Sequence, residues 1–305
     1  MTHNIAIIVV NYGSHDLLAE NLAGRDWSRV GAELFVVDNF TTLAERSVVT
    51  EMAAANDWHV IAMPTNIGFG AGVDVGVRAA LDRGHDALLL LNPDVKASDD
   101  VVQALHDCVN ADPMTMVSPQ VLNATGRIWF DGGELDIASG RVRTARGAAM
   151  DAPFAWLTGA CLALSGELWL KADGFDPEYF LYWEDVDFSQ RVVRAGGRLA
   201  VRHDLAVRHD VGGTQGAGKS AVYVRYNTRN RLLFAVNWLP EDVVRRWLWR
   251  TPADTYRVLM RGGRRSLLQW PMVKAALVGS TEGIRFALAS RGQSKPARAD
   301  AQALR

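Results

Sequence analysis

The sequence has only two cysteines, Cys108 and Cys161, in 305 residues. They make neither a disulfide framework nor a metal-ligand spacing, which suits a reducing compartment and predicts a cytoplasmic protein. It also lacks a charge imbalance: 33 basic against 34 acidic side chains leave a formal net charge of −1. No global field draws it to nucleic acid, so no nucleic-acid partner is expected. No apolar run approaches the roughly 20 residues of a membrane-spanning helix. No basic lead or small-residue cleavage site precedes the first strand-like run, so no secretory leader is expected. What is present is ordinary for a globular chain, 49% hydrophobic and 22% charged. That length and composition support a substantial core in one large domain or two small ones.

The most informative stretch is Asp86–Val95, DALLLLNPDV. An unalternating apolar run bounded by turn residues reads as a buried strand of an α/β sheet. Pro93 cannot donate a backbone hydrogen bond, so the strand should end there and deliver Asp94 to its carboxyl end. Open α/β sheets place ligands at that edge. Asp94 is therefore either a solvated turn residue or a ligand for a hard cation shared with phosphates.

The same pattern recurs along the first hundred residues. Ile5–Val10, Glu33–Val37 and Trp58–Met63 read as strands, with helices over about 14–23 and Leu43–Ala55 and from the glycine-rich turn through Leu81. Strands alternating with helices imply crossover units and a mainly parallel sheet. Asn11, Asp38, and Asn92 with Asp94 then share one sheet edge. The turn Thr65–Gly72 carries Asn66, Gly68, Gly70 and Gly72 into a helix. A helix start suits phosphates, and the alternative is that the glycines permit tight packing. As a dinucleotide fingerprint the spacing fails.

Further on, Ser98–Asn110 reads as a helix and Thr115–Val121 as a strand. Gly126–Gly147 reads as a β-ribbon or ordered loop. An apolar strand over Ala155–Leu164, a short helix from Gly166, and short strands at Arg198–Val201 and Leu205–His209 follow. Between them, Glu184, Asp185 and Asp187 stand at the front of a helix, crowded by Phe175, Tyr179, Phe180, Tyr182 and Trp183. The acids either favour the helix N-terminus, or include a carboxylate whose proton affinity aromatic walls raise, as a general base requires. Asp185 and Asp187 cannot aim into one site from one helix. His209 is either structural or a metal or phosphate ligand.

These pieces together resemble family 2 glycosyltransferases of the GT-A fold, in the bacterial rhamnosyltransferase-like branch. The matching segments are VVNYGS at 9–14, VVDN at 36–39, TNIGFGAGVDVG at 65–76, LLLLNPDV at 88–95, WLTGACLALS at 156–165, DGFDPEYFLYWEDVDFSQRVVRAGG at 173–197 and YNTRN at 226–230. The resemblance implies a Rossmann-like, mainly parallel central sheet flanked by helices, with a C-terminal helical extension. It implies a catalytic domain over 1–235; the helical pattern beyond it predicts an extension over 236–291, and small and charged residues without periodicity predict a disordered tail over 292–305.

It also implies roles. Asn11, Tyr12 and Asp38 hold the base and ribose of a nucleotide-sugar donor, dTDP- or UDP-linked. Asn66 and Gly70 lie against the same nucleotide. Asn92-Pro93-Asp94 is the family's DXD-type motif, with Asp94 on Mg²⁺ or Mn²⁺; His209, weighed above on its own, is the further metal candidate. Asp185 is the catalytic base of an inverting transfer, with Glu184 orienting acceptor or base. Arg191 supports the donor diphosphate. The acceptor is a glycan, a lipid-linked sugar or a small molecule. Three departures from the family pattern stand out: Phe40-Thr41-Thr42-Leu43 after VDN, Asp74 where asparagine is common, and Asn92 in place of the first aspartate.

A rival motif is Gly213–Ser220, which fits the P-loop pattern of an ATPase or kinase. It stands late in the chain with no further strands to build a sheet, so a loop beside the active site is the expectation. A non-catalytic nucleotide-sugar-binding module is disfavoured by the Glu184-Asp185 pair. In the C-terminal helices, arginines interleave with Trp247, Trp249 and Trp270. They read either as a peripheral contact with the inner face of the plasma membrane, or as a cap or homodimer partner.

Overall fold

Unalternating apolar runs make central strands because both sheet faces are covered by helices. In the computed structural model, which describes residues 4–144, 146–209 and 219–290, the first such run is β1 (Ile5–Asn11), buried throughout. The alternation continues with α1 (His15–Asn21), β2 (Ala32–Asp38), α2 (Leu43–Asn56), β3 (His59–Ala62), α3 (Phe69–Asp82) and β4 (Ala87–Leu91). Next come β5 (Val95–Lys96), α4 (Asp99–Ala111), β6 (Thr115–Leu122), β7 (Ile128–Phe130), β8 (Gly133–Asp136) and β9 (Arg141–Thr144). The chain continues through β10 (Ala155–Trp156), β11 (Cys161–Ser165), α5 (Gly166–Lys171), α6 (Glu184–Arg194) and β12 (Arg198–His209). It closes with α7 (Ala221–Trp238), α8 (Glu241–Met260) and α9 (Trp270–Ala289).

The described residues form two compact units. The first comprises 4–134, 144, 146–180 and 185–209, and the second 135–143, 181–184 and 219–290. The helical unit therefore takes α7 as well as the expected extension, together with the short segments 135–143, which holds parts of β8 and β9, and 181–184.

The first unit is built on a nine-stranded sheet of order β3-β2-β1-β4-β11-β6-β12-β5, with β7 beside β6. The expected parallel arrangement holds from β3 to β4. The sheet turns mixed at β11, which runs antiparallel to both β4 and β6. Ala155–Leu164 is not one strand. Its first two residues pair with β8 in a separate three-stranded sheet, and the chain bends through 157–160 before entering β11. Conversely, the two strands expected at 198–209 are one, β12, with a shift of register between Arg202 and Ala206.

Two features fix the site edge. The last residues of β1 and β2, Asn11 and Asp38, pair in register, so both strands end level. Helix α3 lies close on these strands: a Cβ at Gly76 would stand 2.6 Å from the Ile8 side chain, and one at Gly72 3.1 Å from Val10. These two glycines serve packing. In the helical unit, Ser220 caps α7 by accepting the Tyr223 N–H at 3.1 Å, and Tyr223, Val224, Leu259, Met272 and Ala276 form a buried cluster.

Candidate active site

At the β1–β2 edge, polar side chains are buried but satisfied. Asn11 donates to Glu45 at 3.1 Å and to Asp38 at 3.5 Å, and its oxygen accepts the Ser14 N–H. Glu45 stands three residues after the α2 cap, Thr42, which accepts its N–H. This is the T-x-x-E spacing of a capping box. Here, however, the glutamate side chain turns to Asn11 and to His15, whose ring lies 2.6 Å away. That carboxylate holds His15 above the ordinary histidine range. On the other side, Arg46 donates to Asp38 at 2.6 Å and lies over the Phe40 ring. Asn11 and Asp38 are 0% and 1% exposed, whereas neighbouring Tyr12 is 54% exposed.

Arg46→Ala would leave the Asp38 carboxylate buried without its cation. A loss of about 2–3 kcal/mol is expected, below the full range for severing a buried pair because Arg46 is partly exposed. Denaturant unfolding reads it, and adding Asp38→Asn should return part of the loss.

The glycine-rich turn is locked to this edge. Asn39 donates to the Gly68 carbonyl at 2.9 Å and accepts from Ile67 N–H at 2.8 Å. Asn66 accepts the Gly68 N–H. Gly70 is buried in the first turn of α3. Gly68 has φ +92°, and a Cβ there would meet the Phe180 carbonyl oxygen at 2.4 Å. The next N–H, that of Phe69, bonds the same oxygen at 2.9 Å. This turn thus carries the loop that leads to the acidic helix. Gly68→Ala combines a disfavoured φ with a backbone clash, and a loss of about 2–4 kcal/mol in unfolding free energy is expected.

Asp74, one of the departures, takes the Phe175 N–H at 3.2 Å and fastens α3 to the same loop. Burial pushes its carboxyl up to about 7.

The end of β4, just ahead of Asp94, is linked to Asp185 through the bend at 157–160. Asn92 N–H donates to the Ala160 carbonyl at 3.0 Å. The adjacent Gly159 N–H donates to Asp185 at 3.3 Å, and Asp185 also accepts its neighbour's N–H from Val186. A Cβ on Gly159 would lie 3.4 Å from the Phe69 ring and 3.8 Å from the Asp185 Cβ. The end of β4 and the start of α6, more than ninety positions apart, are therefore bridged by two consecutive residues. Burial pushes Asp185 up to about 6, against the backbone hydrogen bonds that favour its ionised form. Asp187 faces elsewhere and accepts from Arg191 at 2.8 Å.

Arg191 is engaged by three carboxylates, with Asp176 at 3.1 Å and Asp173 at 3.6 Å besides Asp187. The structure does not join it to the group around Asp94 and Asp185. It fastens α6 to the 173–176 loop. Glu184 is buried as the first residue of α6.

Asp94 and His209 are brought together. Strands β5 and β12 pair Val95 with His209, and the Asp94 Oδ1 lies 3.0 Å from His209 Nε2. The Trp129 ring packs edge-on against His209. The His209 Nδ1 and the Asn92 Oδ1 are buried without a hydrogen-bond partner among the described residues. A carboxylate oxygen and an imidazole nitrogen at this spacing fit two ligands of one divalent cation. No group of three such donors occurs among the described residues.

In the helical unit, two consecutive non-glycine residues, Tyr182 and Trp183, hold φ of +67° and +73°. Asn230 donates to the carbonyls of Leu181 and Tyr182 at 2.9 and 2.7 Å. Left-handed backbone at adjacent aromatic residues is costly and persists only where neighbours over-determine it. The asparagine of YNTRN supplies that constraint, a role its sequence context did not reveal. Gly213–Gly218 of the P-loop-like stretch lies outside the described residues. Lys219 stands over the Tyr223 ring.

A sequence profile described as glycosyltransferase-like family 2 matches residues 3–231. The chain belongs to that family. This transferase is 25% identical over 247 residues to the low-salt glycan biosynthesis hexosyltransferase Agl10 of Haloferax volcanii, covering 76% of each chain. It is 24% identical over 227 residues to an N-acetylglucosaminyl-diphospho-decaprenol L-rhamnosyltransferase of Mycobacterium tuberculosis, covering 64% of this chain and 72% of the relative. Its fold matches the mannosyltransferase PcManGT from Pyrobaculum calidifontis, solved in complex with GDP-mannose and Mn²⁺. That match has a TM-score of 0.56 at 15% identity and covers 95% of this chain and 86% of the other. The fold is GT-A, and the chain is a glycosyltransferase. No helix among the described residues is long and apolar enough to cross a membrane.

Proposed function

We propose that this family 2 glycosyltransferase moves a hexose, with rhamnose or another deoxyhexose favoured, from a dTDP- or UDP-linked donor to an acceptor hydroxyl with inversion at the anomeric carbon. The observation that carries the reading is the short bridge Asn92–Ala160–Gly159–Asp185 between the strand end bearing Asp94 and the acidic helix. The relatives named above, a hexosyltransferase of glycan synthesis and a rhamnosyltransferase on a lipid diphosphate, support a glycan or lipid-linked acceptor.

In this reading the base and ribose lie at the Asn11, Tyr12 and Asp38 edge, against Asn66 and Gly70. Asp94 and His209 hold a divalent cation, Mg²⁺ or Mn²⁺, with Asn92 nearby. When bound, that ion neutralises charge on the departing diphosphate. Asp185 takes the proton from the acceptor hydroxyl as its oxygen attacks the anomeric carbon. A carboxyl raised to about 6 is ionised at neutral pH yet more basic than an ordinary aspartate, the balance a general base needs. Glu184, the preceding residue, orients acceptor or base, and Arg191 supports the site from a distance by fastening α6 to the 173–176 loop.

The test is thermal-shift screening against nucleoside diphosphates with and without Mg²⁺ or Mn²⁺, followed by anomeric analysis of the product. Metal-dependent stabilisation by dTDP or UDP and an inverted product are expected. A product that retains the donor configuration would sink the Asp185 assignment.

A further inference from the structure

The helical unit carries a surface that sugar transfer leaves unused. Helix α9 has two faces. One buries Met272, Ala276, Gly279, Gly283 and Ala287. A Cβ at Gly279 would stand 2.2 Å from the Arg225 carbonyl oxygen, and one at Gly283 3.0 Å from that of Arg229. Small residues on this face let α9 lie backbone to backbone on α7.

The opposite face holds Trp270, Leu277 and Leu288, exposed at 68%, 57% and 49%. At about 100° per residue these three positions fall within about 20° of one line along the helix. Lys274, Thr281 and Arg285 are exposed on the same stripe. The turn ahead of the helix continues it, with Leu268 at 88% exposure and Leu267 at 37%, beside exposed Arg264 and Arg265. Between positions 255 and 281 the sequence has Arg257, Arg261, Arg264, Arg265 and Lys274 and no aspartate or glutamate.

Single exposed leucines are normal on a protein surface. An aligned Trp–Leu stripe threaded with cations and free of carboxylates is the pattern of a helix lying in a membrane interface. Indole rings settle at headgroup depth, and the cations meet an anionic lipid surface. A second copy of this chain fits less well. A two-fold contact through the stripe would set Arg264, Arg265 and Lys274 against a like-charged surface.

We propose that the exposed face of α9 and the turn before it dock on an anionic lipid bilayer, lying on the membrane without crossing it. The proposal stands independently of the sugar-transfer chemistry. Flotation of the full chain with vesicles tests it, comparing equal parts phosphatidylglycerol and phosphatidylcholine with pure phosphatidylcholine. The expected result is partition onto the anionic vesicles at least tenfold above that onto the neutral ones, weakened by 0.5 M salt on the order of tenfold.

Two triple variants should each cut that partition about tenfold: Leu268→Ser with Trp270→Ser and Leu277→Ser, and Arg264→Gln with Arg265→Gln and Lys274→Gln. The control pair Arg29→Gln and Lys171→Gln should leave it unchanged. All six docking positions are exposed, and the salt response of the unaltered protein reads the same property without substitution. The proposal is overturned if the protein stays with the buffer fraction, if it partitions equally onto both vesicles, or if the triple variants float like the parent. It is also overturned if sedimentation finds a dimer that the apolar triple variant splits.

Discussion

Asp185→Asn should lower turnover about 10³-fold, the middle of the range for removing a positioned general base, while leaving the affinity for a nucleoside diphosphate unchanged. The amide keeps the shape and can still accept the Gly159 N–H, but it cannot take the acceptor proton. Because burial raises Asp185 to about 6, turnover of the unaltered enzyme should climb with pH through about 6 and then level. The Asn variant's residual rate should lack that limb.

The same shift makes a stability statement. The native state binds this proton more readily than the unfolded chain does, so ionisation costs stability as pH rises from about 4 to about 6, and the cost is fully present above. The Asn variant should therefore unfold at higher denaturant concentration at pH 7.5, by about 1–2 kcal/mol. Each pKa unit is worth about 1.4 kcal/mol, reduced here because the carboxylate is partly open to solvent. The advantage should vanish below about pH 4, where both proteins carry a neutral side chain. A variant that is both more stable and inactive separates a base from a structural carboxylate. An inactive variant that is also less stable at pH 7.5 would place Asp185 among the structural residues.

Asp94→Ala should lower transfer by about 10³-fold as well, through a different deficit: several kcal/mol of charge stabilisation on the leaving diphosphate. The distinguishing measurement is the metal-dependent thermal shift. In the parent, Mn²⁺ and a nucleoside diphosphate together should stabilise the fold more than either alone. In Asp94→Ala that synergy should disappear, while the melting temperature without ligands should move by no more than about 2–4 °C. His209→Ala, which removes the neighbouring imidazole, should weaken the synergy by roughly tenfold in metal concentration, in line with losing one ligand or its support. Synergy retained in Asp94→Ala would mean the ion is held elsewhere. The two aspartates thus separate: one variant binds donor and metal but does not turn over, and the other fails at metal-assisted binding.

The sequence by itself determined the strands that end in Asn11 and Asp38 and the one that ends just before Asn92-Pro93-Asp94. Buried strands need continuous apolar runs, and Pro93 stops one of them by lacking an N–H. It also determined the helices over Leu43–Ala55 and Ser98–Asn110, within a residue or so of α2 and α4, and the divergence of Asp185 from Asp187 along α6. The family resemblance, carried by motifs in order, likewise needed no coordinates.

Only the tertiary structure decided which of these groups touch. Local pattern does not reveal that Ala155–Leu164 breaks between two sheets and that its bend at Gly159–Ala160 joins Asp185 to the end of β4. That bend is set by β11 pairing antiparallel with β4, a long-range choice. The T-x-x-E spacing at Thr42–Glu45 signals a capping box, yet the glutamate side chain goes to Asn11 and His15, because a buried asparagine and a nearby imidazole offer stronger partners than an exposed amide. Arg191 reads as a diphosphate contact in its motif, but its guanidinium is claimed by Asp173, Asp176 and Asp187, the first two supplied by a loop that folding brings to it. Residue types and their order are local properties. Partnership among charged side chains is decided by distance, and distance is set only when the sheet closes its register.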